Sequence, residues 1–469
     1  MKLYKHQENV LELSKSMPNL ALFWEMGTGK TRAAIEILKL KQKKQKRVMK
    51  TIIFAPLVTL KNWKSEILKF SKISEKVIWC LDESGKKRVQ QLIQATCDEG
   101  IIIINYEALR SVEVIELLHS YNADMLICDE SHRLKNYKSK QSKVVHTLSK
   151  TIAYKLLLTG TPILNSTMDI FQQYKILDGG EVFGTNYYLF RAKYFFDKNY
   201  GMPRNIHFPK WVPREDMNKE LQFLIKRKSD RVLKKDCLDL PPLIKHKHYV
   251  TMGAEQKKNY KNMARDFITF IKEAGTGEIQ ASVAQLAVTK LLRLQQIVSG
   301  FLKTESGDEY LFEDNPRADA LEEMLLSLSE HNKIIVWTTF KADVKVAERI
   351  CKKHDIGYCV LTGEQNGREK ERSIHDFTTS DEKRIIIANR RAGGIGVNLV
   401  EAKYAITFSR DFSLEAELQS EARNYRGGSE KFDSIIKIDL ITKDTVDEEV
   451  QQALENKQTI SDIILDLKP

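Results

Sequence analysis

The sequence predicts an α/β protein made of two parallel-sheet lobes with helical insertions. Three observations predict it. Short β-branched runs recur with helical patterns between them. The runs are apolar almost throughout, as in strands covered on both faces, and they fall into two blocks. At 469 residues the chain is too long for one compact domain, and its length suggests about three units.

In the first block, an apolar run at 20–23 precedes strands at 51–54, 101–104, 125–128 and 155–158. The stretch 165–239 is aromatic-rich and helical in pattern, and Pro241-Pro242 then breaks the chain. An alternating segment follows at 244–250, and helical periodicity returns over 255–300. Strands of the second block are expected at 333–337, 358–361, 384–388, 404–408 and 434–440. Residues 447–467 read as a closing amphipathic helix. The division expected is a first lobe over 1–250 with a helical protrusion at about 165–240, a helical insertion over 251–310 and a second lobe over 311–469.

Composition narrows the class. No run approaches the roughly 18 apolar residues of a membrane span, and Met1 is followed at once by polar residues. The expectation is an intracellular, cytoplasmic protein without a secretory signal. Six scattered cysteines and ten histidines show neither a disulfide framework nor zinc-ligand spacing, so His246 and His248 read as solvent-facing. The net charge of +12 suits a polyanionic partner such as nucleic acid, or simply a lysine-rich surface. For the basic run 39–50, a solvated helix end is favoured over a DNA contact.

The stretch WEMGTGKT (24–31) organises the rest. It reads as strand, glycine-rich turn and helix, with Met26, Gly27, Thr28, Gly29, Lys30 and Thr31 forming a phosphate-binding turn. Glycines let backbone N–H groups approach a polyphosphate, and the helix N-terminus favours negative charge. Lys30 would reach the β- and γ-phosphates, and the Thr31 hydroxyl would ligate Mg²⁺. The alternative is a surface turn that happens to end in Gly-Lys-Thr.

Asp129-Glu130-Ser131-His132 follows the strand 125–128. Asp129 stands where a second Mg²⁺ ligand is needed, and Glu130 can orient and deprotonate an attacking water. Thr159, Gly160 and Thr161 end the next strand; they would sense the nucleotide through the Asp129-Glu130 loop, or form a plain β-turn. Gln419, Arg423 and Arg426 sit at i, i+4 and i+7 in a helical pattern over 413–425, and so share a face. Arginine suits charge spread over a transferring phosphoryl group. Surface ion pairs with Glu415, Glu417 or Glu421 are the competing reading.

In order, the chain also carries His6-Gln7, APLVTLKNW (55–63), INYEAL (104–109), LLLTGTPILN (156–165), LLRLQQIVSG (291–300), KIIVW (333–337), AGGIGVNL (392–399) and Q-x3-R-x2-RGG (419–428). Together these blocks resemble the motif series of superfamily-two helicase-like ATPases, in detail the Swi/Snf-type DNA translocases. The resemblance covers essentially the whole chain. It implies two RecA-like lobes of the P-loop NTPase type, with ATP between them and duplex DNA across both. By the resemblance, Gln7 would read the adenine, and Arg423 and Arg426 would be arginine fingers. Lys61, Asn62, Trp63, Asn105, Tyr106, Gly393, Gly394 and Asn398 would line the DNA track. Trp24 departs from the Asp of many relatives, and Arg426-Gly427-Gly428-Ser429 lacks their Ile-Gly-Gln. No reader module is expected, so the chain resembles a bare, monomeric motor like small bacterial or phage members.

The function expected is a DNA-stimulated ATPase, with ATP and Mg²⁺ as cofactors, that moves along double-stranded DNA without sequence preference. A strand-separating DNA or RNA helicase is the first alternative. A nucleotide-gated DNA clamp without turnover is the second.

Overall fold

The computed structural model describes residues 3–164, 166–201, 209–274, 280–303, 309–390 and 397–466. The chain divides into two compact units, one built chiefly from Met1–Lys198 and Lys210–Asp239, the other chiefly from Leu240–Asn456.

The strands of the first unit's sheet are β1 (Asn19–Trp24), β2 (Thr51–Ala55), β3 (Ile78–Leu81), β4 (Ile101–Asn105), β5 (Met125–Asp129) and β6 (Tyr154–Leu158), with a seventh contributed later in the chain. An antiparallel pair, β7 (Phe195–Asp197) and β8 (Trp211–Pro213), lies outside it. β9 (Ser229–Val232) then completes the order β3-β4-β2-β5-β6-β1-β9, in which every pairing is parallel. Alternate side chains enter two separate cores. Ala21 and Phe23 of β1, with Leu126 and Cys128 of β5, pack on one face. Leu20, Leu22 and Trp24, with Met125 and Ile127, pack on the other. That double burial explains why these strands read as continuous apolar runs.

The aromatic-rich stretch forms the helices Ile170–Asp178, Tyr187–Tyr194 and Asn218–Lys226. Phe171, Tyr174, Phe183, Phe190 and Tyr194 join their rings to the first core. In the expected helix end at 39–50, the helix Lys30–Gln45 stops at Lys46, whose φ of 56° is left-handed. Within it Lys41 is buried and donates to the Ser14 carbonyl.

The second unit begins with β10 (Leu243–Val250). The helices Ala254–Ala274 and Gln280–Ser299 follow, then a hairpin of β11 (Phe301–Lys303) and β12 (Glu309–Leu311). Its sheet adds β13 (Lys333–Thr338), β14 (Tyr358–Leu361), β15 (Ile385–Asn389), β16 (Ala402–Thr407) and β17 (Ile435–Thr442). The order is β10-β17-β16-β13-β15-β14, again all parallel. Here the structure corrects the expected boundary at 250. β10 pairs with β17 from Leu243 opposite Ile435 to Val250 opposite Thr442, so it belongs to the second sheet. The closing helix spans Val446–Asp466.

Among the described residues, no helix is long and apolar enough to cross a membrane. All six cysteines are free thiols, and burial pushes the Cys128 thiol well above its ordinary pKa.

Candidate functional site

β1 delivers the chain into a turn that only glycine can make at two points. Gly27 and Gly29 have φ of 86° and 84°. At Gly29 a Cβ would also lie 2.5 Å from the Gln7 amide nitrogen. The turn opens directly into the 16-residue helix Lys30–Gln45, whose aligned peptide dipoles favour negative charge at this end.

Lys30 is tucked into the turn. Its ammonium donates to the carbonyls of Trp24 at 2.8 Å and Glu25 at 3.0 Å. Burial lowers its pKa, while the nearby carboxylates of Glu130 and Asp129 act in the opposite sense. The Thr28 hydroxyl donates to the Glu25 carbonyl at 2.8 Å, and Thr31 is half-buried in the first helical turn. From the helix Lys5–Ser16, His6 Nε2 meets the Thr28 carbonyl at 2.9 Å, and Gln7 Nε2 donates to the Gly29 carbonyl at 3.2 Å. Gln7 Oε1 accepts the Tyr4 N–H at 3.0 Å. One end of the Gln7 amide therefore braces the glycine turn, while the other closes the start of its own helix.

β9, which the sequence reading missed, braces the turn from its other side. The indole N–H of Trp24 donates to Asp230 at 2.5 Å, and the Asp230 carboxyl, raised by burial, is held down by that bond. Arg231 donates to the Phe23 carbonyl at 2.9 Å and the Gly160 carbonyl at 3.4 Å. Glu25 accepts the backbone N–H of Lys234 at 2.6 Å. The departure at Trp24 is thus matched by an acidic partner 206 residues away.

β5 ends at Asp129, where two carboxylates converge on the lysine. Asp129 Oδ2 accepts the indole N–H of Trp63 at 2.8 Å, and Oδ1 accepts the Glu130 N–H at 3.0 Å. Burial and the Glu130 charge push its carboxyl up to about 6, against Trp63 and Lys30. Glu130 turns in a left-handed conformation at φ 50°. Its Oε2 is buried without a hydrogen-bond partner, 3.4 Å from His132 Nδ1. This buried carboxylate oxygen thus faces the His132 ring, and its charge, with that of Asp129, acts on Lys30.

The Thr159-Gly160-Thr161 turn adjoins both features. His132 Nδ1 lies 2.9 Å from Thr159 Oγ1 and 3.5 Å from Thr161 Oγ1, and Thr159 Oγ1 accepts the Thr161 N–H at 3.1 Å. A Cβ on Gly160 would stand 3.2 Å from the Trp24 carbonyl and 3.3 Å from Met26. Ser131 donates to Gln173 at 2.9 Å, and Gln173 in turn donates to the Pro162 carbonyl at 2.8 Å.

The expected DNA-track residues divide. Lys61 and Asn62 are exposed on the helix Leu60–Phe70. The side chains of Trp63, Asn105 and Tyr106 are not: they are 1%, 3% and 1% exposed, which corrects their expected place on a track. Trp63 belongs to the inward stripe Leu60, Trp63, Ile67, whose i, i+3, i+7 spacing could have revealed it. Tyr106 donates to the Asp129 carbonyl at 2.6 Å, and Asn105 donates to Glu107 at 2.9 Å. In the second unit Asn398 is exposed, whereas Gly393 and Gly394 lie outside the described residues.

Gln419 and the two arginines also differ from expectation. The helix Leu414–Glu421 ends before Arg423, so the three do not share one helical face. The chain turns instead: Arg423 donates back to the Gln419 carbonyl at 3.0 Å and to the Val397 carbonyl at 3.2 Å. Arg426 is half-buried in the turn beyond. Glu417 is fully engaged elsewhere, between the buried cations of Arg390 and Lys437. Glu415 accepts from Gln419 at 3.1 Å, and Glu421 pairs with Lys245 at 2.7 Å.

Comparison with known families gives a match to the SNF2-related domain over residues 5–300 and to the helicase conserved C-terminal domain over 316–428. The chain is 26% identical over 437 residues to an uncharacterized ATP-dependent helicase of Mycoplasma genitalium, covering 93% of this chain and 39% of that protein. It is 24% identical to an ISWI chromatin-remodeling complex ATPase of Saccharomyces cerevisiae, covering 94% and 38%. The chain thus spans about two fifths of the length of these relatives. A solved structure, the Sulfolobus solfataricus SWI2/SNF2 ATPase core in complex with dsDNA, is 23% identical with a TM-score of 0.44, over 100% of this chain and 98% of that one.

Proposed function

The chain belongs to the SNF2-related domain family, and from that premise we propose that it is an ATP-driven motor moving along duplex DNA. The observation that carries the proposal is the meeting of Lys30, Asp129 and Glu130 behind a turn held open by Gly27 and Gly29. That set suits a triphosphate with Mg²⁺: backbone N–H groups at a helix N-terminus, one buried ammonium, and one carboxylate with an oxygen that accepts no hydrogen bond. Bound Mg²⁺ would neutralise charge developing on the phosphates.

Thr31 and Asp129 are the residues that would hold the metal. Lys30 would exchange its two carbonyl partners for phosphate oxygens, a small swing because those carbonyls already line the turn. Glu130 would take the proton of the attacking water at Oε2. Arg423 and Arg426 are assigned to the charge on the transferring phosphoryl group, and Gln419 to holding Arg423 through its carbonyl. His132, Thr159 and Thr161 would report the state of that site to the neighbouring turn. Gln7 and His6 would set the shape of the phosphate turn, with Gln7 also facing the base.

Lys61 and Asn62 in the first unit and Asn398 in the second are assigned to the DNA backbone, with Gly393 and Gly394 expected beside Asn398. Backbone contact implies binding that is indifferent to sequence and weakened by salt. Steady-state ATP turnover with duplex DNA, single strands and RNA tests the reading. Duplex should raise turnover most; turnover indifferent to nucleic acid contradicts it.

A further inference from the structure

Trp63 stands at the meeting point of a surface and a catalytic carboxylate. It lies on the helix Leu60–Phe70 two residues after Lys61, whose side chain is 77% exposed. At about 100° per residue the two side chains leave the helix on opposite sides. Lys61 and Asn62 face solvent, while the Trp63 ring is buried with Leu60 and Ile67 and puts its N–H on Asp129 Oδ2 at 2.8 Å.

The other acceptors of Asp129 are also taken, one by the next residue and one by a distant side chain. Its Oδ1 accepts from Glu130, and its carbonyl accepts the Tyr106 hydroxyl at 2.6 Å. The Tyr106 ring stacks on Phe54, centroids 5.6 Å apart. The orientation of the carboxylate therefore depends on where the Trp63 helix sits. Because the interior is close-packed, a shift of that helix has no slack in which to dissipate before it reaches the indole.

We propose that Trp63 is a positioning residue that couples polyanion contact at Lys61 and Asn62 to the set of the Asp129 carboxylate. The proposal rests on the functional reading above and deepens it. Phosphate drawn to the outer face of the helix seats the indole, and the N–H then fixes Oδ2 in the direction that leaves the rest of the carboxylate for the metal. With the outer face empty, the same bond is made less often. The two states are the Trp63–Asp129 bond made and broken, and DNA shifts the balance between them.

The test compares the wild-type chain with Trp63→Phe, which keeps a buried ring and deletes the N–H, and with Tyr106→Phe, which deletes only the hydroxyl. ATP turnover is measured with and without duplex DNA, together with KM for ATP, the Mg²⁺ concentration for half-maximal turnover, and duplex affinity without nucleotide. A hydrogen bond to a charged group is worth enough that duplex-stimulated kcat in Trp63→Phe should fall roughly tenfold. The stimulation factor should fall with it, and half-maximal Mg²⁺ should rise. Duplex affinity and KM should stay within about twofold of wild type.

A folded Trp63→Phe chain with the wild-type stimulation factor overturns the proposal. Should Trp63→Phe fail to fold, Tyr106→Phe decides: a reduced factor with unchanged duplex affinity supports coupling through Asp129, and an unchanged factor overturns it. A wild-type chain whose turnover ignores duplex overturns the functional reading itself, an outcome distinct from stimulation that survives the substitutions.

Discussion

His132 Nδ1 and Thr159 Oγ1 meet at 2.9 Å in the interior, joining the turn after β5 to the turn after β6. Thr159 is completely buried, and its hydroxyl also accepts the Thr161 N–H. One hydroxyl thus ties the carboxylate loop to the Gly160 turn, which itself rests against Met26.

Thr159→Val removes that hydroxyl at nearly constant volume. It removes the acceptor of the Thr161 N–H and the nearest hydroxyl contact of the His132 ring, at a cost of about 1–3 kcal/mol of stability. Duplex-stimulated turnover should fall while ATP binding persists, and Thr159→Ser should restore most of it. Melting curves and turnover measured on both variants check this; Thr159→Ser behaving like Thr159→Val would count against the hydroxyl.

On the proposed reading, Lys30→Ala should abolish measurable ATP binding and lower turnover by roughly a hundredfold or more, because the buried cation assigned to the phosphates is lost. Duplex binding in the absence of nucleotide should remain. Nucleotide titration and a duplex mobility shift on the same preparation report the two effects separately.

Glu130→Gln preserves shape and removes the proposed proton acceptor. Turnover should drop on the order of 10²–10⁴-fold with ATP affinity kept. A clamp that never turns over would lose nothing by this change, so single-turnover hydrolysis separates the motor from that alternative.

Asp343 gives a pH-dependent stability prediction in the second unit. Its carboxyl is buried, accepts from Ser409 and from the Phe340 N–H, and is pushed up to about 6 by burial. With the folded pKa above the unfolded one, its contribution is fully present below about 4 and is lost as pH rises through about 6. Asp343→Asn should therefore gain in melting temperature relative to wild type at pH 7.5, and the gain should vanish near pH 4. A difference independent of pH would contradict the assignment.

Much of the fold, and the turn and strand end that make up the candidate site, was legible because its chemistry is local. Gly27 and Gly29 between an apolar strand and a helix define a turn by backbone conformation alone, and Asp129 is marked by ending a strand. What escaped depends on partners far along the chain. β9 is four residues of mostly polar character, stabilised by Trp24 and the carbonyls it reaches, so no periodicity announced it. The alternation of β10 identified a strand but carried no information about which sheet it joins. The spacing of Gln419, Arg423 and Arg426 continued a helical period beyond Glu421, where the Arg423 side chain instead returns to the Gln419 carbonyl. Trp63 and Tyr106 came with a motif that marked them as functional without giving their direction, and both point inward to Asp129.

Displacement of the third strand from a DNA triplex, in which the duplex itself stays paired, tests movement along duplex most directly. With ATP and Mg²⁺, the wild-type chain should release the third strand, and Glu130→Gln should bind the substrate and release nothing. Duplex-stimulated hydrolysis by the wild-type chain with the third strand left in place would contradict the motor.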